Sequence, residues 1–310
     1  MSTERNPVIL CRAVRKDYGR ETVLSDVDFT VQAGECVVLV GHNGAGKTTL
    51  MKLMLGLTRP TAGSIEVLGG NPALSAAVKQ HQNLGYLPES VAFYDAMSGR
   101  EVLTFYARLK GVSGSDCDRL LHLVGLDHAA ARRVGTYSKG MRQRLGLAQA
   151  MLGAPRLLFL DEPTTGLDPS LRHHFYHLIE SLHRNGTTFV ISSHALSEVE
   201  ARADRFVMMK NGAVIAGGTL DELYQQASLP VRMRVMVTPG RAGQVAERLG
   251  SDVHIGALNN HSLNLSCCTD EKMPLIRRIT ALDEHVQDIQ IMPPRLDELY
   301  SYFMNRETPS

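Results

Sequence analysis

Residues Gly41-His42-Asn43-Gly44-Ala45-Gly46-Lys47-Thr48 match the phosphate-cradling pattern G-x-x-x-x-G-K-[ST] at every fixed position. No other stretch constrains the fold as strongly, because the pattern works only between a buried strand and the first turn of a helix. Both flanks are present. Glu35 to Val40 reads as a parallel strand and Thr49 to Leu57 as the helix after the loop. Glycines let backbone N–H groups close around phosphate oxygens, and the helix N-terminus adds positive potential. Gly41, Asn43, Gly44, Ala45, Gly46, Lys47, Thr48 and Thr49 are therefore candidate nucleotide ligands. Lys47 is suited to the terminal phosphates and the Thr48 hydroxyl to Mg²⁺.

Further segments present polar chemistry at the ends of predicted strands, where a parallel sheet opens its ligand crevice. Arg156 to Glu162 is an apolar strand ending in two carboxylates: Asp161 suits Mg²⁺, and Glu162 is placed to orient or deprotonate an attacking water. Thr188 to His194 is another such strand, with His194 as a candidate γ-phosphate sensor. Ser138, Lys139 and Gly140 open a helix expected over Met141 to Leu152, and a serine with backbone N–H groups at a helix N-terminus forms a second anion site. Upstream, Val8 to Val14 and Thr22 to Val31 read as strands. Between them lies Tyr18, the candidate to stack on adenine. Leu84 to Glu89 reads as a short strand broken by Pro88, and Ser98 to Lys110 as a helix with a capping box from Ser98 to Glu101.

The set Gly41 to Thr48, Tyr137 to Met141, Leu157 to Glu162, Thr165 to Asp168 and Ser193-His194, in this order, resembles the ATP-binding subunits of ABC transporters. The resemblance covers about residues 7 to 225. It implies an α/β phosphate-loop NTPase core with an antiparallel β subdomain and a helical subdomain. It also implies ATP and Mg²⁺ as ligands, and a head-to-tail homodimer in which the phosphate loop of one chain and the Ser138 turn of the other sandwich ATP. By position, Glu162 becomes the catalytic base, His194 the switch histidine, Asp168 the acid at the dimer seam and Tyr18 the adenine stacker. Two positions depart from the family pattern. The signature turn, usually Leu-Ser-Gly-Gly-Gln, here reads Tyr137-Ser138-Lys139-Gly140-Met141, and Glu89 stands where a Mg²⁺-ligating glutamine is usual. Within the family, Gly85 to Tyr94 and Tyr137 to Ala150 read most like ATPase subunits of transporters that serve copper-site maturation of nitrous oxide reductase. That likeness implies a multispan membrane permease, a periplasmic accessory protein beyond it, and a peripheral place on the cytoplasmic face of a bacterial inner membrane. The alternatives are the ATPase of a drug or ion exporter, or an ABC-type ATPase acting on ribosomes or DNA.

Composition narrows these choices. A net charge of +1 gives no electrostatic footprint for nucleic acid. Five scattered cysteines lack metal-ligand spacing, so reduced thiols are expected. Neither a signal peptide nor an apolar run long enough to span a membrane is expected. A length of 310 residues suggests two domains, placed at 1–228, with the helical subdomain at about 90–152, and at 229–310. The tail reads as β-α-β-β-α-β followed by a helix over Pro294 to Met304, a small ferredoxin-like α+β domain. Met233, Met236, His254, His261, Cys267, Cys268 and His285 could serve as soft metal ligands. Methionines at alternate strand positions are more often core, so a role in dimerisation or regulation is preferred for the tail.

Overall fold

The computed structural model describes residues 7–74, 81–194, 196–250, 253–282, 285–292 and 294–306. Strands β1 (Pro7–Tyr18) and β2 (Glu21–Gln32) form an antiparallel hairpin longer than the expected strands. Lys16, Asp17 and Tyr18, expected between strands, belong to β1. The hairpin absorbs register shifts around Ala13, whose φ is 47°, and closes through Gly19 and Arg20 alone. Strand β3 (Cys36–Val40) leads into α1 (Lys47–Met54), and β4 (Ala62–Val67) returns to pair with β1 in a sheet ordered β2-β1-β4.

After β5 (Leu84–Leu87) comes a helical stretch: α2 (Gly99–Lys110), α3 (Cys117–Leu123) and α4 (Lys139–Ala150). The Ser98–Glu101 capping box forms as expected. Helix α4 begins two residues before the expected Met141, because the Ser138 hydroxyl accepts the Met141 N–H at 3.2 Å and so caps the helix itself. Lys139 and Gly140 therefore lie in its first turn. The chain continues through β6 (Leu157–Asp161), α5 (Pro169–Arg184), β7 (Thr188–Ser193), the short α6 (Leu196–Val199), β8 (Arg205–Lys210) and β9 (Ala213–Gly218).

These strands form a six-stranded sheet ordered β5-β6-β7-β3-β8-β9, parallel throughout except for β9. Every residue of β3, β6 and β7 is buried, which is why the middle of each strand reads as an apolar run rather than an alternating one, with polar residues at the ends of β6 and β7. Adjacency of β6, β7 and β3 brings three carboxyl ends side by side, with the phosphate loop, Asp161-Glu162 and His194 along one edge.

Contacts divide the chain into two compact units, Met1–Gly218 and Thr219–Ser310. The second contains α7 (Leu220–Ala227), β10 (Val231–Val237), α8 (Ala242–Leu249), β11 (His254–Leu258), β12 (Ser262–Cys267), α9 (Lys272–Thr280), β13 (Val286–Met292) and α10 (Leu296–Asn305). Its antiparallel sheet is ordered β11-β12-β10-β13, the arrangement of a ferredoxin-like β-α-β-β-α-β unit. The strand expected from Asp252 begins at His254, and Asp252 lies outside the described residues. Strand β10 alternates cleanly, with Met233 at 0% exposure in the core beside Val235 and Leu265. Cys267 joins that core, while Cys268 is exposed. Among the described residues no group of three or more His, Cys, Asp or Glu side chains is arranged to hold a metal ion.

Candidate active site

The phosphate loop is held open by backbone that a larger residue could not adopt. Gly46 caps α1 with φ 101°, and a Cβ there would fall 2.6 Å from Leu24 Cδ2. The loop forms the floor of a cleft of about 550 Å³. His42 through Thr49 line it, joined by Glu89, Asp161, Glu162, Thr165 and His194. Strand ends far apart in sequence thus bring their polar groups to one cavity.

Within it, the Lys47 ammonium donates to the Gly41 carbonyl at 2.5 Å and the His42 carbonyl at 3.4 Å, and lies 3.9 Å from Glu162 Oε1. Burial pulls its pKa below the ordinary lysine range, against the opposing pull of Glu162, Asp161 and Glu89. The Thr48 hydroxyl donates to Asp161 Oδ2 at 2.9 Å, and Ser192 donates to Asp161 Oδ1 at 2.5 Å. Glu162 follows in a left-handed conformation, φ 46°, that turns its side chain out of the strand direction. Its N–H is held by the Ser192 hydroxyl at 2.9 Å. Glu162 Oε2 lies 2.6 Å from His194 Nδ1 and accepts the His194 backbone N–H at 3.3 Å. A carboxylate only accepts, so Nδ1 carries the proton and Nε2 is left for another partner. Glu162 Oε1 is buried and has no hydrogen-bond partner among the described residues.

Thr48, Asp161 and Glu89 line the cleft with oxygen donors, and together with the orphaned Glu162 oxygen this donor set suits a hard divalent cation. When bound, Mg²⁺ would be held by Thr48, Asp161 and Glu89 and would supply positive charge to offset that of the phosphates. Ser192 was not singled out from the sequence, although two serines closing a fully buried strand, Ser192-Ser193, are a readable signal.

Other expected site residues lie outside this cleft. Tyr18 ends β1 and is 49% exposed, and Lys16 Nζ lies 4.8 Å from its ring centroid; Val23, not Tyr18, lines the cavity. Gly140 is buried, and a Cβ there would touch Leu167 and Leu171 at 3.4 Å. Lys139 lies across Gly166, where a Cβ would come within 2.9 Å of its Nζ. Asp168 caps α5 by accepting the Leu171 N–H at 3.0 Å. In a single chain Ser138 and Asp168 are exposed and do not line the cleft that contains the phosphate loop.

A sequence profile described as "ABC transporter" matches residues 24–165. YxlF of Bacillus subtilis strain 168, an ABC transporter ATP-binding protein, is 42% identical over 215 residues, covering 68% of this chain and 70% of YxlF. The chain belongs to the ABC transporter ATP-binding family. The linearmycin resistance ATP-binding protein LnrL of the same organism is 30% identical over 298 residues, covering 93% of this chain and 95% of LnrL. A solved structure of an ATP-binding subunit of an ABC transporter superposes with a TM-score of 0.66 at 33% identity, over 71% of this chain and 92% of that one. ABC ATP-binding domains bind ATP, hydrolyse it in step with transport, and work as dimers with membrane permease subunits. Among the described residues, no helix of this ABC ATPase is long and apolar enough to cross a membrane.

Proposed function

We propose that two copies of this ABC ATPase close head to tail around ATP, and that they power a transporter serving copper-site maturation of nitrous oxide reductase. The observation that carries the first half is the contact of Glu162 with His194 in the cleft that the phosphate loop lines, whereas Ser138 and Asp168 are exposed and are not among the residues lining that cleft. A chain built this way completes its site only with a second copy. Lys47 and the loop N–H groups bind the β- and γ-phosphates, and Tyr18 stacks on adenine from the exposed end of β1. Glu162 accepts the proton of the attacking water, and His194 holds that carboxylate in place while its Nε2 meets the γ-phosphate. Ser138, Lys139 and Gly140 cap the phosphates bound in the partner subunit, with Asp168 at the seam. Thr48, Asp161 and Glu89 hold Mg²⁺. Residues 1–228 act as the ATPase domain, including a helical subdomain at about 90–152, and residues 229–310 as an accessory domain for dimerisation or regulation.

The second half rests on the runs Gly85 to Tyr94 and Tyr137 to Ala150. They suit a peripheral subunit on the cytoplasmic face of a bacterial inner membrane, working with a permease and a periplasmic accessory protein to supply copper or sulfur. Similarity to LnrL over nearly the whole chain supports a second reading, export of a drug or ion. Deleting the gene separates them. The first reading expects nitrous oxide reductase to accumulate without its copper site, with rescue by the intact gene and not by Glu162→Gln. The second expects a fully assembled reductase and a new sensitivity to the exported compound.

A further inference from the structure

Between the turn that carries Asp168 and the segment that follows His194 lies a half-buried ionic network that the chemistry above does not use. Glu198, four residues beyond His194 on α6, is its centre. Its Oε1 accepts Arg172 Nη1 at 2.6 Å, and its Oε2 accepts the Thr164 hydroxyl at 3.1 Å. Arg172 also donates its Nε to the Leu167 carbonyl at 2.8 Å. One carboxylate therefore grips the turn at both ends, Thr164 directly and Leu167 through Arg172. The Glu198 backbone carbonyl accepts Arg202 Nη1 at 2.7 Å, and the Arg202 guanidinium lies 4.9 Å from the Tyr176 ring centroid. Tyr176 in turn places its hydroxyl 3.5 Å from Thr164 Oγ1, closing the ring of contacts.

The same two segments meet a second time at the reacting end. His194 contacts Glu162, and the Glu162 carbonyl accepts the Thr165 N–H at 3.1 Å. Two ties thus hold the Glu162-to-Asp168 turn, one from His194 and one from Glu198 on α6. Each oxygen of this partly buried carboxylate has its own donor, one of them a guanidinium, which gives the outer tie direction as well as strength. We propose that Glu198 is a positioning residue that couples the Asp168 turn to His194, so that engagement of that turn by a second copy of the chain sets the His194–Glu162 contact. The inference rests on the head-to-tail dimer proposed above.

The test is steady-state ATPase kinetics together with equilibrium ATP binding for Glu198→Gln, Thr164→Val and the double variant Arg172→Gln/Glu198→Gln in the full chain. Coupling through a network alters rates within a range of about 2- to 30-fold. The expected result is a fall in kcat of about tenfold for each single variant, with ATP affinity held within about twofold, and a double variant no worse than Glu198→Gln alone. Unchanged kcat in a folded Glu198→Gln protein, or a fall in kcat matched by an equal fall in ATP affinity, would overturn the coupling. Thr164→Val leaves the ion pair intact and serves if Glu198→Gln does not fold. ATP-dependent dimerisation of Glu162→Gln is measured alongside. A dimer that forms while Glu198→Gln keeps full kcat refutes the coupling alone, whereas absence of that dimer refutes the composite site on which the coupling rests.

Discussion

His194 Nδ1 lies 2.6 Å from Glu162 Oε2, and the backbone N–H of His194 donates to the same oxygen at 3.3 Å. One oxygen of the carboxylate is therefore fixed by the end of β7, while the other stays buried 3.9 Å from Lys47. His194→Ala removes the side-chain half of this grip. We expect kcat for ATP hydrolysis to fall by about 100-fold with ATP binding largely retained, as for loss of a positioned acid–base partner. Parallel measurement of kcat and ATP affinity checks this; a variant with full kcat would show that the contact is incidental.

Gly46→Ala tests the loop backbone. An alanine must adopt φ 101° and place Cβ 2.6 Å from Leu24 Cδ2 and 3.2 Å from the Val23 carbonyl. A loss of stability of about 1–3 kcal/mol is expected in chemical denaturation, with weakened ATP binding. A change below about 0.5 kcal/mol would mean that the loop has a second low-energy arrangement.

Lys110 gives a pH signature. Its ammonium donates to the carbonyls of Leu84 at 2.8 Å and Leu152 at 2.7 Å, and burial lowers its pKa from 10.5 to about 8. Between those values the folded chain binds fewer protons at this group than the unfolded chain, so its contribution to stability rises with pH across that window. Denaturation of the wild type and Lys110→Met from about pH 8 to about pH 10 should show the wild type gaining relative to the variant. A constant difference would refute the lowered pKa.

How much of this was legible beforehand depended on how tightly chemistry fixes spacing. Gly41 to Thr48 works only as strand, loop and helix, so the motif dictated its surroundings. The apolar stretches Leu157 to Leu160 of β6 and Phe189 to Ile191 of β7 were as legible, because strands buried on both faces carry no polar alternation in their middles. The tail was readable from the alternation of β10 and from turns between short elements. Other features rest on contacts between distant residues. The start of α4 depended on the Ser138 cap, and the length of β1 on a left-handed Ala13 that tertiary pairing imposes. Glu162's left-handed backbone has no sequence signal, since glutamate rarely takes it unless its surroundings compel it. Nor could spacing reveal that Glu198 reaches Thr164 and Arg172, because no local periodicity joins residues that far apart.

Glu89 lines the cleft at the end of β5, where either a carboxylate or an amide oxygen can ligate a hard cation. Glu89→Gln should therefore retain ATPase activity within about threefold, measured at saturating Mg²⁺. A loss beyond about tenfold would give the negative charge a duty of its own.

If Glu162 activates the water that hydrolyses ATP inside a dimer closed across the phosphate loop, sedimentation of Glu162→Gln with and without ATP, paired with its turnover, reveals it. A stable dimer that forms only with ATP, and hydrolysis reduced by about 100-fold or more, are expected. A Glu162→Gln protein that stays monomeric with ATP bound, or that turns over at the wild-type rate, would contradict it.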